Sequence, residues 1–350
     1  MKKLLLIGSN CVHTYNYFHL IKDYFNKIVL ITDTEHTLSD PKIAQLYFVN
    51  SSLKKVDNYF RAIRTYQTIL EEEKPDIIHI QQISTYSFLL LRALKRTKLH
   101  ILVVLTTWGS DILVLPKRGW IFKKMVQYVL NHCDAYTTDA HFVAEKMQEL
   151  ARKPLHTCIA NFGINIVDIP QKKEKIIYSN RLHEPLYRID KIISAFHFFV
   201  SQHPDWKLVI GATGSETESL KEMVRHLHLD EWITFIGWVD PVRNSTMYAK
   251  STIWISLPKS DATSISLLEA MSFGCLPIVI DLPANREWIK DGENGIIVQD
   301  IESNFFEDAL ALSIENVAHI NKEIIAQKGT KEVNRLLFYK LYDELQVKVD

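Results

Sequence analysis

The sequence predicts an α/β protein made of two Rossmann-like halves, on three observations. Short runs rich in Ile, Val and Leu recur with longer helical segments between them, the pattern of parallel strands buried on both faces. Six such runs fall in each half, so the pattern occurs twice. A length of 350 residues suits two domains, each large enough to bury its own core.

In the first half the expected strands are 4–7, 28–32, 76–80, 101–106, 135–138 and 157–160. The opening Met1-Lys-Lys-Leu-Leu-Leu-Ile reads as the first of these and not as a secretion signal, because its apolar stretch is too short and stops at Gly8-Ser9-Asn10. In the second half the runs are 175–179, 207–211, 233–236, 252–256, 277–280 and 295–298. Between the halves, 161–175 combines Asn161, Gly163 and Pro170 with a polar Gln-Lys-Lys-Glu-Lys run and reads as a linker. Residues 315–350 read as helix without strands. The expected organisation is a first domain over 1–165, a second over 166–325, and a C-terminal helical segment over 326–350 packing back on the first domain. Open parallel sheets bind ligands beyond the carboxyl ends of their strands, so a cleft between two facing domains is the expected place for function.

Composition narrows the function classes. At 47% hydrophobic and 23% charged residues the chain falls in the soluble globular range. Its 41 basic and 41 acidic residues cancel, which argues against a nucleic-acid partner and makes any attraction for phosphate local. Cys11, Cys133, Cys158 and Cys275 are scattered, with no Cys-x-x-Cys pair, and fit a reducing cytosol. Without an apolar run of 18 residues, no membrane span is expected. The 14 histidines include no metal-type spacing, so no metal is expected. Gly211-Ala-Thr-Gly214 lacks the Gly-Lys-Ser/Thr of a phosphate-binding P-loop.

The segment richest in chemistry is Asp261-Ala-Thr-Ser-Ile-Ser-Leu-Leu-Glu269, between the runs at 252–256 and 277–280. Thr263, Ser264 and Ser266 supply N-cap residue types, so the backbone N–H groups over Ser264, Ile265, Ser266 and Leu267 and the positive helix end would face a ligand, as a phosphate site requires. Asp261 lies in the loop ahead and Glu269 one to two turns inside the helix, so one carboxylate can meet a sugar and the other a ribose. The same residues have a plain alternative: Ser266 and Glu269 carry the Ser-x-x-Glu spacing of a capping box, and Asp261 would then be a surface loop residue.

Asp261-x7-Glu269, with Gly274-x-x-Pro277 and Gly292-Glu-Asn-Gly295, resembles the Glu-x7-Glu region of the retaining glycosyltransferases of family 4, also called glycosyl transferases group 1, which have the two-domain GT-B fold. The resemblance implies that Glu269 holds the ribose hydroxyls of a nucleotide-diphosphate-sugar, Asp261 approaches the donor sugar, and the intervening N–H groups hold the diphosphate. Asp261 stands where the family has Glu. Ser179-Asn-Arg181-Leu-His-Glu-Pro-Leu-Tyr187-Arg188 resembles the segment whose Arg and Lys neutralise the diphosphate. Arg181 takes the first place, and the second falls on Tyr187 or Arg188, with Arg188 favoured because only a cation can compensate leaving-group charge. Ile236-Gly237-Trp238-Val239 resembles the loop at the nucleotide base, with Gly237 permitting close approach; a plain turn glycine is the alternative.

In the first domain, Pro75-Asp-Ile-Ile-His79-Ile-Gln81 and Trp108-Gly-Ser-Asp111 resemble segments on the acceptor side. Trp108 and Gln81 stand where many relatives have histidines, and Gly8-Ser-Asn-Cys-Val-His13 replaces the usual Gly-Gly pair. His13, His79, Trp108 and Asp111 are the acceptor-side candidates, with polar core as the alternative for His79 and for His183. Lys117-Arg-Gly-Trp120-Ile-Phe122-Lys-Lys124 mixes cations with large aromatics, as a peripheral membrane contact would; a solvated helix start is the alternative.

The expected activity is retaining transfer of a sugar from a nucleotide-diphosphate-sugar to a hydroxyl acceptor on a lipid-linked or surface-polysaccharide glycan, without cofactor or metal, in the cytoplasm or on the inner face of the cell membrane. A non-catalytic nucleotide-sugar-binding subunit and a nucleotide-sugar epimerase or hydrolase on the same fold are the alternatives.

Overall fold

The computed structural model describes residues 2–35 and 39–347. Two compact units emerge, one made of 1–162 with 331–350 and the other of 163–330. Residues 348–350, at the end of the predicted C-terminal segment, lie outside the described residues.

The first unit holds a seven-stranded, wholly parallel sheet of β1 (Lys3–Ile7), β2 (Lys27–Thr32), β3 (Ile43–Phe48), β4 (Ile77–Gln81), β5 (Leu102–Thr106), β6 (Ala135–Thr138) and β7 (Thr157–Ile159). Its order is β3-β2-β1-β4-β5-β6-β7, so direction reverses between β1 and β4. Loops leaving those two neighbours part to opposite sides and open a crevice at the carboxyl edge. The strand β3 was not expected. It lies at the sheet edge with most of its side chains at least partly exposed, so its sequence, Ile-Ala-Gln-Leu-Tyr-Phe, carries no unbroken apolar run.

In the second unit β8 (Glu174–Ser179), β9 (Lys207–Gly211), β10 (Ile233–Gly237), β11 (Ser251–Ser256), β12 (Leu276–Ile280) and β13 (Ile296–Val298) pair in the order β10-β9-β8-β11-β12-β13, again all parallel. Here the reversal falls between β8 and β11, where Tyr178 lies opposite Trp254. Fully buried Ile177, Ile253, Ile255, Leu276 and Ile278 pack on one face against Ile192, Ile193 and Phe196 of the helix Ile189–Gln202. On the other face Leu267, Leu268 and Met271 of the helix Ile265–Ser272 join Tyr178, Trp254 and Val279.

The chain changes unit at 162–163 and again at 330–331, where the sequence suggested 165–166 and 325–326. The stretch read as continuous helix is interrupted: Ile314–Ile324 runs into a π-helical turn, Ile325–Gly329, and Thr330 forms a β-bridge to Ile164 before the helix Lys331–Gln346 begins. That last helix belongs to the first unit, where Phe338, Leu341 and Tyr342 pack with Tyr17, Phe18 and Phe25. Among the described residues no helix is long and apolar enough to cross a membrane.

Candidate functional site

The segments that follow β8 and β11 meet at the reversal point of the second unit. Arg181, two residues beyond β8, donates from Nη2 to Asp261 Oδ2 at 2.7 Å and from Nη1 to Ser264 Oγ. Its guanidinium lies over the Tyr187 ring, 4.5 Å from the centroid, which fixes the plane of the fork. Asp261 also accepts from the Ala262 N–H at 3.1 Å. Burial pushes the Asp261 carboxyl above its ordinary value, against the opposing pull of Arg181.

Arg188 is placed differently from the sequence expectation. Its Nε donates to the Leu257 carbonyl at 2.7 Å and its Nη2 to that of Pro258 at 3.1 Å, so the guanidinium braces the loop between β11 and Asp261. The backbone supports the same loop through Lys259 N–H to Leu186 O at 2.8 Å. Of the two candidate cations, Arg181 stands at the helix end and Arg188 grips main chain.

Ser264 is the N-cap of Ile265–Ser272, yet its side chain makes no cap hydrogen bond; it receives Arg181 instead. The Ser266–Glu269 capping box is therefore absent, since Ser266 sits inside the first turn and the third helical residue is Leu267. Glu269 is held by a tertiary network: its Oε2 accepts from Tyr248 OH at 3.0 Å and Asn244 Nδ2 at 3.3 Å. Asn180 Nδ2 donates to Tyr248 OH at 2.8 Å, and Trp254 Nε1 donates to Asn180 Oδ1 at 2.9 Å. The first turn is anchored from behind by Trp288 Nε1, which donates to Thr263 Oγ1 at 3.3 Å. Gly274 closes the helix with φ +70, the left-handed conformation glycine adopts without steric cost.

Asn180, Asn244 and Tyr248 were not among the sequence candidates. A signal existed: Asn244 and Tyr248 lie four apart on the helix Pro241–Lys250, so they share a face. That helix starts cleanly because Asp240 accepts from the N–H groups of Val242 and Arg243, both at 2.9 Å, with Pro241 in its first turn. Gly237, at the end of β10, has φ +69 and open space where a Cβ would stand, and its neighbour Trp238 is exposed.

In the first unit, Gly8 follows β1 and presses against the start of the helix Val12–Ile21 and against Gln81; a Cβ at Gly8 would meet Thr14 Oγ1 at 2.5 Å and Gln81 Cβ at 3.1 Å. Gln81 Oε1 accepts from Trp108 Nε1 at 3.3 Å. His13 lies against the Trp108 ring at 4.9 Å and stacks on Phe162 at 5.3 Å, and the desolvation this brings lowers its pKa. His13 and Trp108 thus form one aromatic group with Phe162 beyond the β1 edge.

Two acceptor-side candidates belong to the scaffold instead. His79 is fully buried, its Nδ1 bonded to Tyr342 OH at 2.6 Å and its Nε2 to Thr106 Oγ1 at 2.7 Å, and burial drives its pKa down to about 3. It ties the sheet to the C-terminal helix and offers no nitrogen to a ligand. Asp111 is also buried, with Oδ2 accepting from Ile83 N–H at 2.8 Å and Oδ1 from Trp108 N–H at 3.0 Å. Burial raises its carboxyl to about 6 even though those N–H groups oppose the rise. Asp111 shapes the loop that carries Trp108. His183, likewise buried, is bonded to Thr217 Oγ1 at 2.9 Å and Gly211 O at 3.1 Å. No group of three or more His, Cys, Asp or Glu among the described residues is placed to hold a metal ion.

Two doubly wound parallel sheets, with an arginine and two carboxylates at the reversal point of the second, are the architecture of the GT-B fold, which the chain shares with solved glycosyltransferases. The sequence model of the family described as glycosyl transferases group 1 matches residues 162–331, that of the glycosyl transferase 4-like family matches 2–140, and the chain belongs to these family 4, group 1 glycosyltransferases. Among curated relatives, the N-acetyl-alpha-D-glucosaminyl L-malate synthase of Bacillus anthracis is 24% identical over 245 residues, covering 66% of this chain and 63% of that protein. The phosphatidyl-myo-inositol mannosyltransferase of Mycobacterium tuberculosis is 26% identical over 172 residues, 47% of this chain and 44% of its own. The chain thus spans less than two thirds of the length of these relatives. Among solved structures, Anabaena HepE in complex with UDP superposes with a TM-score of 0.80 at 14% identity, covering 98% of this chain and 100% of that one. The lipopolysaccharide outer core galactosyltransferase WaaB gives 0.77 at 14% identity over the same shares.

Proposed function

We propose that the protein transfers a sugar from a nucleotide-diphosphate-sugar to a hydroxyl acceptor with retention at the anomeric carbon. The observation that carries this reading is the Arg181 fork at the N-terminus of Ile265–Ser272, with Glu269 held on the same helix by Tyr248 and Asn244. Negative charge grows on the diphosphate as the sugar leaves. A cation and a helix N-terminus fixed in advance stabilise that charge without reorganising during the reaction. Arg181 and the first-turn N–H groups from Ser264 to Leu267 take this role, Glu269 anchors the ribose, Asp261 faces the donor sugar, and Gly237 admits the base. Arg188 contributes by fixing the loop that carries Asp261. The reading assigns the compensating charge to protein groups and includes no metal.

The acceptor is proposed to be a lipid-linked or surface-polysaccharide glycan, met on the first unit by His13 and Trp108. One relative is named for a phosphatidylinositol substrate and a structural neighbour for lipopolysaccharide, which favours such acceptors. Trp120 and Ile121, 75% and 63% exposed, stand among Lys117, Arg118, Lys123 and Lys124, and no acidic residue occurs between Asp111 and Asp134. This patch suits the headgroup region of an anionic membrane, with the enzyme on its cytoplasmic face. The reading is tested by measuring thermal stabilisation by UDP, GDP, ADP and their sugars, followed by transfer with the donor that stabilises most; Glu269→Ala is expected to remove both. Transfer by Glu269→Ala at the wild-type rate would sink it.

A further inference from the structure

We infer that Asp261 competes internally for Arg181: its carboxylate holds the guanidinium and must yield it before a donor diphosphate can bind. The inference rests on the donor-site reading above and adds a determinant of affinity to it. Both ends of the Arg181 fork are engaged by the protein itself, Nη2 at 2.7 Å from Asp261 Oδ2 and Nη1 on Ser264 Oγ, while the face of the group rests on Tyr187. The side chains of Arg181 and Asp261 are only 11% and 24% exposed, so little water screens the pair. The Ser264 hydroxyl is diverted in the same way, since an N-cap side chain ordinarily serves its own helix end and this one makes no cap bond.

A phosphate arriving at the helix N-terminus needs the donors that Asp261 and Ser264 now occupy. It also brings negative charge beside a carboxylate, and like charges at such a distance oppose each other. The arrangement keeps a buried guanidinium paired and in position when the site lacks ligand, which avoids the cost of an uncompensated charge. It does so by weakening every anionic ligand that must replace the carboxylate. Arg188 and the Lys259 N–H pin the loop before Asp261, so the exchange is expected to move the Asp261 side chain and leave the loop in place.

The test is calorimetric titration of the full chain with UDP, GDP and ADP, comparing wild type with Asp261→Asn and Asp261→Ala at matched ionic strength. Asp261→Asn keeps the shape and removes the charge, and Asp261→Ala removes the contact altogether; melting temperatures confirm that both variants fold. Both are expected to bind the preferred nucleoside diphosphate roughly tenfold or more tightly than wild type, the ratio expected for one released hydrogen bond to a charged group. Wild-type or weaker affinity in both variants, with nucleotide binding intact in wild type, would overturn the inference and make Asp261 a positioning residue for Arg181. A wild type that binds none of the three diphosphates would instead overturn the donor-site reading, and this inference with it.

Discussion

Replacing Asp111 by Asn separates a scaffold role from an acceptor contact, and its effect can be worked out from the structure. The folded carboxyl is raised from 3.8 to about 6 because it is buried. An acid whose folded pKa lies above its unfolded value binds more protons in the folded state, so its contribution to stability is greatest below about pH 4. That contribution is lost as pH rises toward 6 and stays lost above it. Ionising the carboxyl in place costs about 3 kcal/mol of stability, because each tenfold change in an acid constant is worth about 1.4 kcal/mol. Asn does not titrate. The stability of Asp111→Asn relative to wild type should therefore rise by about 2 kcal/mol between pH 4.5 and pH 7, the part of the window open to measurement.

At pH 7 a second effect opposes the gain. The two carboxylate oxygens each accept a backbone N–H, from Ile83 and from Trp108, and an amide presents only one acceptor. Leaving one buried N–H without a partner costs about 1–3 kcal/mol. That cost does not vary with pH in the variant, so it sets the variant's offset from wild type and leaves the rise of about 2 kcal/mol between pH 4.5 and pH 7 as the quantity to read. Urea unfolding followed by far-ultraviolet circular dichroism at both pH values gives the difference. His79 titrates in both proteins and cancels. A difference independent of pH would refute the reasoning, and a large loss of transfer at pH 7 with unchanged KM for the donor and unchanged stability would restore Asp111 as an acceptor contact.

Three further outcomes follow from named contacts. Tyr248→Phe removes one donor to Glu269 and one acceptor for Asn180, and should weaken nucleotide binding by roughly tenfold, read by calorimetry; equal affinity would mean that the network does not position Glu269. His79, with a folded pKa near 3, should make the first unit lose stability as pH falls below about 6.5, at about 1.4 kcal/mol for each step of one in pH, because the unfolded chain takes up the proton first. His79→Leu should flatten that slope, which thermal unfolding between pH 4.5 and 7 reads directly. Trp120→Ser with Ile121→Ser should reduce co-sedimentation with vesicles containing phosphatidylglycerol while leaving the melting temperature unchanged, since both side chains are exposed; undiminished binding would remove the patch from any membrane role.

The sequence made the strands legible because strands buried on both faces leave continuous Ile, Val and Leu runs, as at Leu4, Leu5, Leu6 and Ile7 or at Ile253, Trp254 and Ile255. Edge strand β3 left no such mark, being half solvated. Positions within a few residues along the chain were also readable, including the helix start after Asp261. What could not be read was pairing at long range. His79 meets Tyr342 across 263 positions and Asp111 meets Ile83 across 28, and nothing near either residue indicates that its polar atoms are already taken. The same blindness left the capping-box alternative standing for Glu269, whose partners come from the helix Pro241–Lys250.

Glu269 also shows why local spacing and tertiary placement can point to different roles for one residue. A capping carboxylate would turn back toward its own helix end and compete with a ligand for the first-turn N–H groups. Held instead by Tyr248 and Asn244, it leaves that end to Ser264, Arg181 and Asp261. Apart from Asp261, which is paired with Arg181, groups of opposite character are thereby kept apart on one short helix, cationic and N–H donors at its start and an acceptor one turn on. A nucleoside diphosphate has the matching order, anionic phosphates beside a ribose that offers hydroxyl donors. The network at Asn180, Asn244 and Tyr248 maintains that separation, so substitutions there should change nucleotide affinity without touching the ligand's phosphates. An effect of Tyr248→Phe on inorganic pyrophosphate binding as large as its effect on the nucleotide would contradict this division.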